Sequence, residues 1–168
     1  MNAPDPSWED RLAKAWASLD ACEPADFVAR IDGLAAELPA GHAIGLFEQA
    51  AARDSTGEPG EALARYRQAL EAGLEGIRRR RAIIQMASSL RNVGQPREAL
   101  ALLEAERTQP GDELDQAVDA FLALVLTDLG REREAVGVSL AALSTYLPRY
   151  NRSLARYAAQ LTREVPDA

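Results

Sequence analysis

One segment limits the possible folds of this chain more than any other, because it is written three times. Residues 57–70 read GEPGEALARYRQAL, residues 94–103 read GQPREALALL, and residues 130–143 read GREREAVGVSLAAL. In each copy an alanine (Ala62, Ala99, Ala135) follows the glycine by five residues, and a glutamate (Glu61, Glu98, Glu134) directly precedes that alanine. The glycines lie 37 and 36 residues apart (94 − 57 and 130 − 94), a spacing expected of stacked helical hairpins. Glycine supplies the tight backbone between two helices, and alanine lets their axes approach closely.

The intervening sequence fits that unit. Trp8, Leu12, Ala15, Trp16 and Leu19 recur at helical spacing after Ser7, a candidate cap with Asp10 three residues on. A second stripe, Phe27, Val28, Ile31, Leu34 and Leu38, runs from the break at Glu23-Pro24 to Pro39. Further helices are expected over 43–53, 60–72, 77–92, 96–107, 112–129, 132–146 and 150–163, with Pro96 suited to an early helix position. Strand-like alternation of useful length is absent from the sequence. Residues 120–126, AFLALVL, are apolar nearly all round, which implies neighbours on most sides or a face that meets another molecule. The last helix sets Tyr150, Leu154, Tyr157, Ala158 and Leu161 against Arg152, Arg156, Gln160 and Arg163, as a solvating cap should.

The pattern of glycine, alanine five residues on, an aromatic four further and a second alanine three after that resembles the tetratricopeptide repeat. Gly57, Ala62, Tyr66 and Ala69 match it fully. The second copy keeps Gly94, Ala99 and a large Leu103 but has Glu106 in place of the last alanine, and the third keeps Gly130, Ala135 and Ala142 with Ser139 in place of the aromatic. Pro39 and Pro148 stand where the family closes a repeat. The first helix of each repeat departs from the family, with Leu46, Ile83 and Asp119 near the usual tryptophan, and the period exceeds the family's ~34 residues. The resemblance covers residues 7–148. It implies an all-α fold, a right-handed α-solenoid of helical hairpins. The expected division is a flexible leader over 1–6 and a single domain over 7–168. Within that domain lie a degenerate repeat at 7–39, repeats at about 41–75, 77–111 and 112–148, and a C-terminal capping helix at 149–163.

In that family the first helix of each repeat lines a concave ligand groove. Carried over position by position, the resemblance implies a groove of Ile44, Phe47 and Ala51, then Arg81, Ile84, Ser88, Arg91 and Asn92, then Ala120, Leu124, Thr127 and Asp128. Phe47 and Ala51 occupy the places where the family's carboxylate-clamp variety has lysine and asparagine. The expected groove has an apolar floor, a cationic spot at Arg81 and Arg91, and an acidic end near Asp128. The sequence leaves open whether the chain's own first helix fills it, with Trp8 and Trp16 as a plug.

Chemistry is harder to place. Arg78, Arg79, Arg80 and Arg81 start a helix, where the macrodipole opposes cations; they read as a solvated turn neutralised by Glu71 and Glu75, or as an anchor for a carboxylate. Successive helical residues point about 100° apart, so one or two of the four can share a groove. His42, the only histidine, lacks companions at metal spacing and reads as a helix-start residue. Cys22 is alone, so a disulfide within the chain is impossible and a reducing, cytoplasmic setting fits. No nucleophile elbow or phosphate loop is present. The net charge of −7 argues against general nucleic-acid binding. No window is apolar for the length a bilayer needs, and the N-terminus lacks the pattern of a secretory signal.

The expectation is a non-catalytic protein–protein interaction or scaffold module, without cofactor or metal, that binds a peptide or helix of another protein, with an acidic segment in the partner if Arg81 and Arg91 select charge. A homodimer through 120–126 is a further expectation. The alternatives are a cytosolic secretion chaperone of the tetratricopeptide type, or a small helical hydrolase or metal enzyme, which added divalent metal would stabilise.

Overall fold

The computed structural model describes residues 4–163, and all regular structure among them is helical. Nine α-helices follow one another: α1 Pro6–Trp16, α2 Pro24–Ala35, α3 Ala43–Ser55, α4 Pro59–Glu71, α5 Gly76–Asn92, α6 Pro96–Arg107, α7 Asp115–Asp128, α8 Glu132–Ser144 and α9 Asn151–Leu161. A single 3-10 turn, Leu19–Ala21, separates α1 from α2. Among the described residues, no helix is long and apolar enough to cross a membrane.

The three motif glycines do what their spacing predicts. Gly57, Gly94 and Gly130 hold φ of 92°, 79° and 73°, a left-handed conformation that a side chain resists and glycine does not. Each closes its helix with the same pair of hydrogen bonds. The residue after the glycine donates its N–H five residues back, Glu58 to Arg53 at 2.8 Å, Gln95 to Leu90 at 2.8 Å and Arg131 to Leu126 at 2.9 Å. The glycine itself donates three residues back, to Asp54, Arg91 and Thr127. Pro59 and Pro96 then begin the next helices, where the missing N–H costs nothing. The motif alanines Ala62, Ala99 and Ala135 are all buried, as close helix approach requires.

At the N-terminus the cap is Asp5, not Ser7. Asp5 accepts the Ser7 N–H at 2.7 Å, and the helix starts at Pro6 within the expected leader; the leader's first three residues lie outside the described ones. A proline at the first helical position forces its predecessor into extended backbone, which leaves Asp5 as the capping residue.

The chain divides into two compact units, Met1–Ser89 and Leu90–Ala168. In the first, α2 packs on α1 and α3, and α3 on α4. Its core gathers Trp8, Leu12, Ala15, Phe27, Ile31 and Ala52, with Trp16 set edge-on to Phe27 at 5.1 Å between ring centroids. Arg53 grips the Asp32 carboxylate with both terminal nitrogens, at 3.0 and 2.8 Å, fastening α3 to α2. Burial pushes the Asp32 carboxyl up, but the Arg53 bonds and charge prevail and hold it below its usual range. In the second unit α7 packs between α6 and α8, and α9 packs on α8. Gly137 is the point of closest approach, because a side chain there would meet Thr162, Leu161 and the Ala158 carbonyl of the α9 segment.

Candidate functional site

In the first unit the expected groove positions are occupied from within. Phe47 and Ala51 on α3 have no exposed surface, and Ile84 on α5 is buried with them. The Arg81 guanidinium lies 5.2 Å above the Phe47 ring, so this exposed residue covers the aromatic floor from the solvent side. Ser88 is half-buried. Next to Phe47 sits Glu48, 2 % exposed. Its carboxylate accepts the Trp16 indole N–H of α1 at 2.8 Å and the Arg78 Nε of α5 at 3.2 Å. A second nitrogen of Arg78 reaches Glu9 of α1 at 2.6 Å. The first helix is therefore tied to α3 through Trp16 and to α5 through Glu9. Burial raises the Glu48 carboxyl above its ordinary range, and the Trp16 and Arg78 bonds work against that rise.

The arginine run separates into individual roles. Arg78 is neutralised by Glu9 and Glu48, long-range partners, and not by Glu71 or Glu75 of the adjoining turn. Arg80 is buried, and Arg81 covers Phe47. Nearby, Asp54 accepts the Ser89 hydroxyl at 2.7 Å and the Tyr66 hydroxyl at 3.4 Å. Burial raises the carboxyl of Asp54 and the phenol of Tyr66 alike. Every polar group of that cluster is turned to another, which makes it a fastening of the hairpin.

The second unit presents the open surface. Between α7 and α8 runs a groove of about 800 Å³ with walls that are overwhelmingly apolar. From α7 it takes Ala117, Ala120, Leu124 and Thr127, from α8 Val136, Ser139, Leu140 and Leu143, and from the turn after α8 Tyr146. Leu124, Val136, Leu143 and Tyr146 are 44, 49, 49 and 68 % exposed. Four large apolar side chains left half in water along one channel are costly for a lone domain and typical of an interaction site. Leu122, Val125 and Leu126 of the apolar run 120–126 are buried in the core instead, so the run serves two faces.

The remaining expected positions also lie in this unit. Asp128 does not form a free acidic end: Arg91 pairs with it through Nε and through a second nitrogen at 3.3 Å. Arg91 and Asp128 neutralise each other, and Asn92 is exposed. Asp119, near the family's tryptophan position, is held by Arg107 Nε at 2.8 Å. The sequence reading named Ala120, Leu124 and Thr127 but none of the α8 wall. The missed signal was a second apolar stripe on α8: Ala135, Val138 and Ala142 face inward, while Val136, Leu140 and Leu143 recur beside them at helical spacing.

Tyr150 and Tyr157, expected to pack, stand in solvent, while Ala158 of the same helix is buried. Among the described residues, no three His, Cys, Asp or Glu side chains converge as a metal site needs. No curated protein and no solved structure matches the chain. The family model described as tetratrico peptide repeat matches residues 43–161, 119 of the chain's 168 residues. With three glycine turns of one geometry, buried motif alanines and a match over more than two thirds of its length, the chain belongs to the tetratrico peptide repeat family.

Proposed function

We propose that this protein is a non-catalytic interaction module that holds the apolar face of a helix or peptide of another protein in the groove between α7 and α8. The observation that carries the reading is the half-exposed row of Leu124, Val136, Leu143 and Tyr146. From residue 116 to residue 127 the α7 wall runs for ~16 Å at the helical rise, room for about three turns of a docked helix. Such a helix would present apolar residues at i, i+3 or i+4, and i+7. Its burial supplies the affinity, and a lining in which Glu132 is the one charged residue favours an uncharged docking face. Cys22, the one cysteine, needs no oxidising compartment, which fits work in the cytoplasm.

A photo-crosslinking amino acid at Val136, expressed in the native cell, tests this. One stoichiometric protein adduct is expected, absent when the same probe replaces Ala101, an exposed residue of α6. An adduct only with a second copy of the chain, or none, overturns the proposal. A captured protein destined for export would identify the module as a secretion chaperone.

A further inference from the structure

The turn between α8 and α9 and the outer face of α9 differ from the rest of the chain. Residues 145–163 contain Arg149, Arg152, Arg156 and Arg163 and no acidic residue, in a chain of net charge −7. The rest of the same unit, residues 90–144, holds five arginines against ten carboxylates. Three of the chain's four tyrosines are here, and Tyr150 and Tyr157 are 79 and 53 % exposed, like Tyr146. The fourth, Tyr66, is fully buried, which is how this chain treats a tyrosine used for packing.

Two features of this turn run against stability. Among the described residues Tyr150 is the one non-glycine with positive φ, at 65°, a conformation that crowds a side chain against its own carbonyl. It is the N-cap residue of α9, yet its side chain caps nothing. Its carbonyl accepts the Leu154 N–H and the Ser153 hydroxyl, both at 2.9 Å, and so locks the strained residue in place. Arg149 and Arg152 flank it at the end of the helix where the macrodipole repels cations. Among the described residues no carboxylate pairs with Arg149, Arg152 or Arg156. Arg156 instead lies 5.3 Å above the Tyr157 ring. Strain and like-charge crowding held together around two exposed rings fit a surface kept for a ligand better than one kept for the fold.

We infer that the α8–α9 turn and the outer face of α9 form a docking surface for an acidic segment of a partner protein, its carboxylates meeting Arg149, Arg152 and Arg156 and its remaining side chains resting on Tyr150 and Tyr157. Guanidinium forks match carboxylates in geometry as well as charge. Tyrosine and arginine are the residues that most often dominate protein interfaces. A long nucleic acid would run on to the surrounding acidic surface of the same unit, whereas a short acidic segment ends within the cationic strip. This rests on the protein-binding reading of the groove to one extent, that Tyr146 borders both surfaces.

The test is fluorescence anisotropy with a labelled peptide alternating glutamate and alanine, set against a labelled oligothymidine. The peptide should bind, weaken as salt rises, and lose at least about tenfold in affinity to the double variant R152E/R156E. Tyr150→Gly should weaken binding while raising Tm, because glycine takes the left-handed conformation without strain; a residue serving only the fold would lower Tm instead. Leu124→Ser should leave peptide affinity unchanged, so that failure of the groove and failure of this surface are told apart. Unchanged affinity in R152E/R156E, tighter binding of the oligothymidine, or a salt-sensitive dimer abolished by the double variant would each overturn the inference.

Discussion

The same repeat turn serves two units that finish their surfaces in opposite ways. In the N-terminal unit, Phe47 is sealed beneath Arg81, and Glu48 is shared by Trp16 and Arg78. In the C-terminal unit, the wall built from Leu124, Val136 and Leu143 remains open to water. A repeat position therefore does not determine whether a groove is available. Long-range side chains that can reach the position determine that, and α1 and α5 supply them in one unit. The closed region supports the fold, and the open region is the surface proposed to meet a partner.

The largest expected effect breaks the closed side. Phe47→Ala removes a fully buried ring that packs 6.3 Å from Tyr66, and should cost about 3–5 kcal/mol in urea unfolding. A cost below about 1 kcal/mol would mean that Phe47 is an open floor after all and the two units do not differ. Next is Arg78→Ala, which leaves Glu48 buried without its cation, at about 3 kcal/mol near neutral pH. This loss should depend on pH. Burial raises the folded-state pKa of Glu48 above its unfolded value, so the proton it holds stabilises below the unfolded pKa, and that contribution is lost as pH rises through the folded pKa. Removing Arg78 raises the folded value further, so the deficit should be greatest at alkaline pH and shrink as pH falls into the acid range. Unfolding curves of both proteins across that range decide it; a deficit that stays flat shows Glu48 to be solvated.

The same contrast explains how much could be foreseen. The turns were legible because glycine with positive φ is a local requirement, written at residues 57, 94 and 130. Helix existence follows from apolar spacing, and the cap at Asp5 is a local consequence of Pro6 at the first helical position. The closing of the first groove was not legible in the same way. Trp16 meets Glu48 across 32 positions and Arg78 meets Glu9 across 69, and no local pattern announces a pair so far apart. Half of the open groove was visible in the apolar run 120–126. The other half is a stripe on α8 whose neighbouring stripe is buried, so composition alone does not separate wall from core. Tyr150 lay beyond reach because its conformation is set by the turn that precedes α9.

Gly137→Ala tests whether the open groove is only looseness of the C-terminal unit. A Cβ there would stand 2.7 Å from Thr162 Cγ2 and 3.0 Å from both the Ala158 carbonyl and Leu161 Cβ. A backbone carbonyl yields poorly, so α9 must shift, at about 1–3 kcal/mol of thermal or urea stability. A neutral result would show that α8 and α9 are slackly packed.

The smallest effect on stability belongs to the groove itself. Leu143→Ser removes a side chain that already meets solvent, and it should change stability by no more than about 0.5 kcal/mol. Leu124→Ser should do the same, and the two should add, since neither closes on a core partner as Phe47 does. Their effect on capture at Val136 should be large, because a docked helix would bury the same surface that the free protein leaves wet. Stability and binding then separate cleanly between the units: Phe47 carries fold and no ligand, Leu143 carries ligand and little fold. Should Leu143→Ser unfold the protein as readily as Phe47→Ala, the row of half-exposed residues is core viewed from its edge. The difference between the units would then be one of degree.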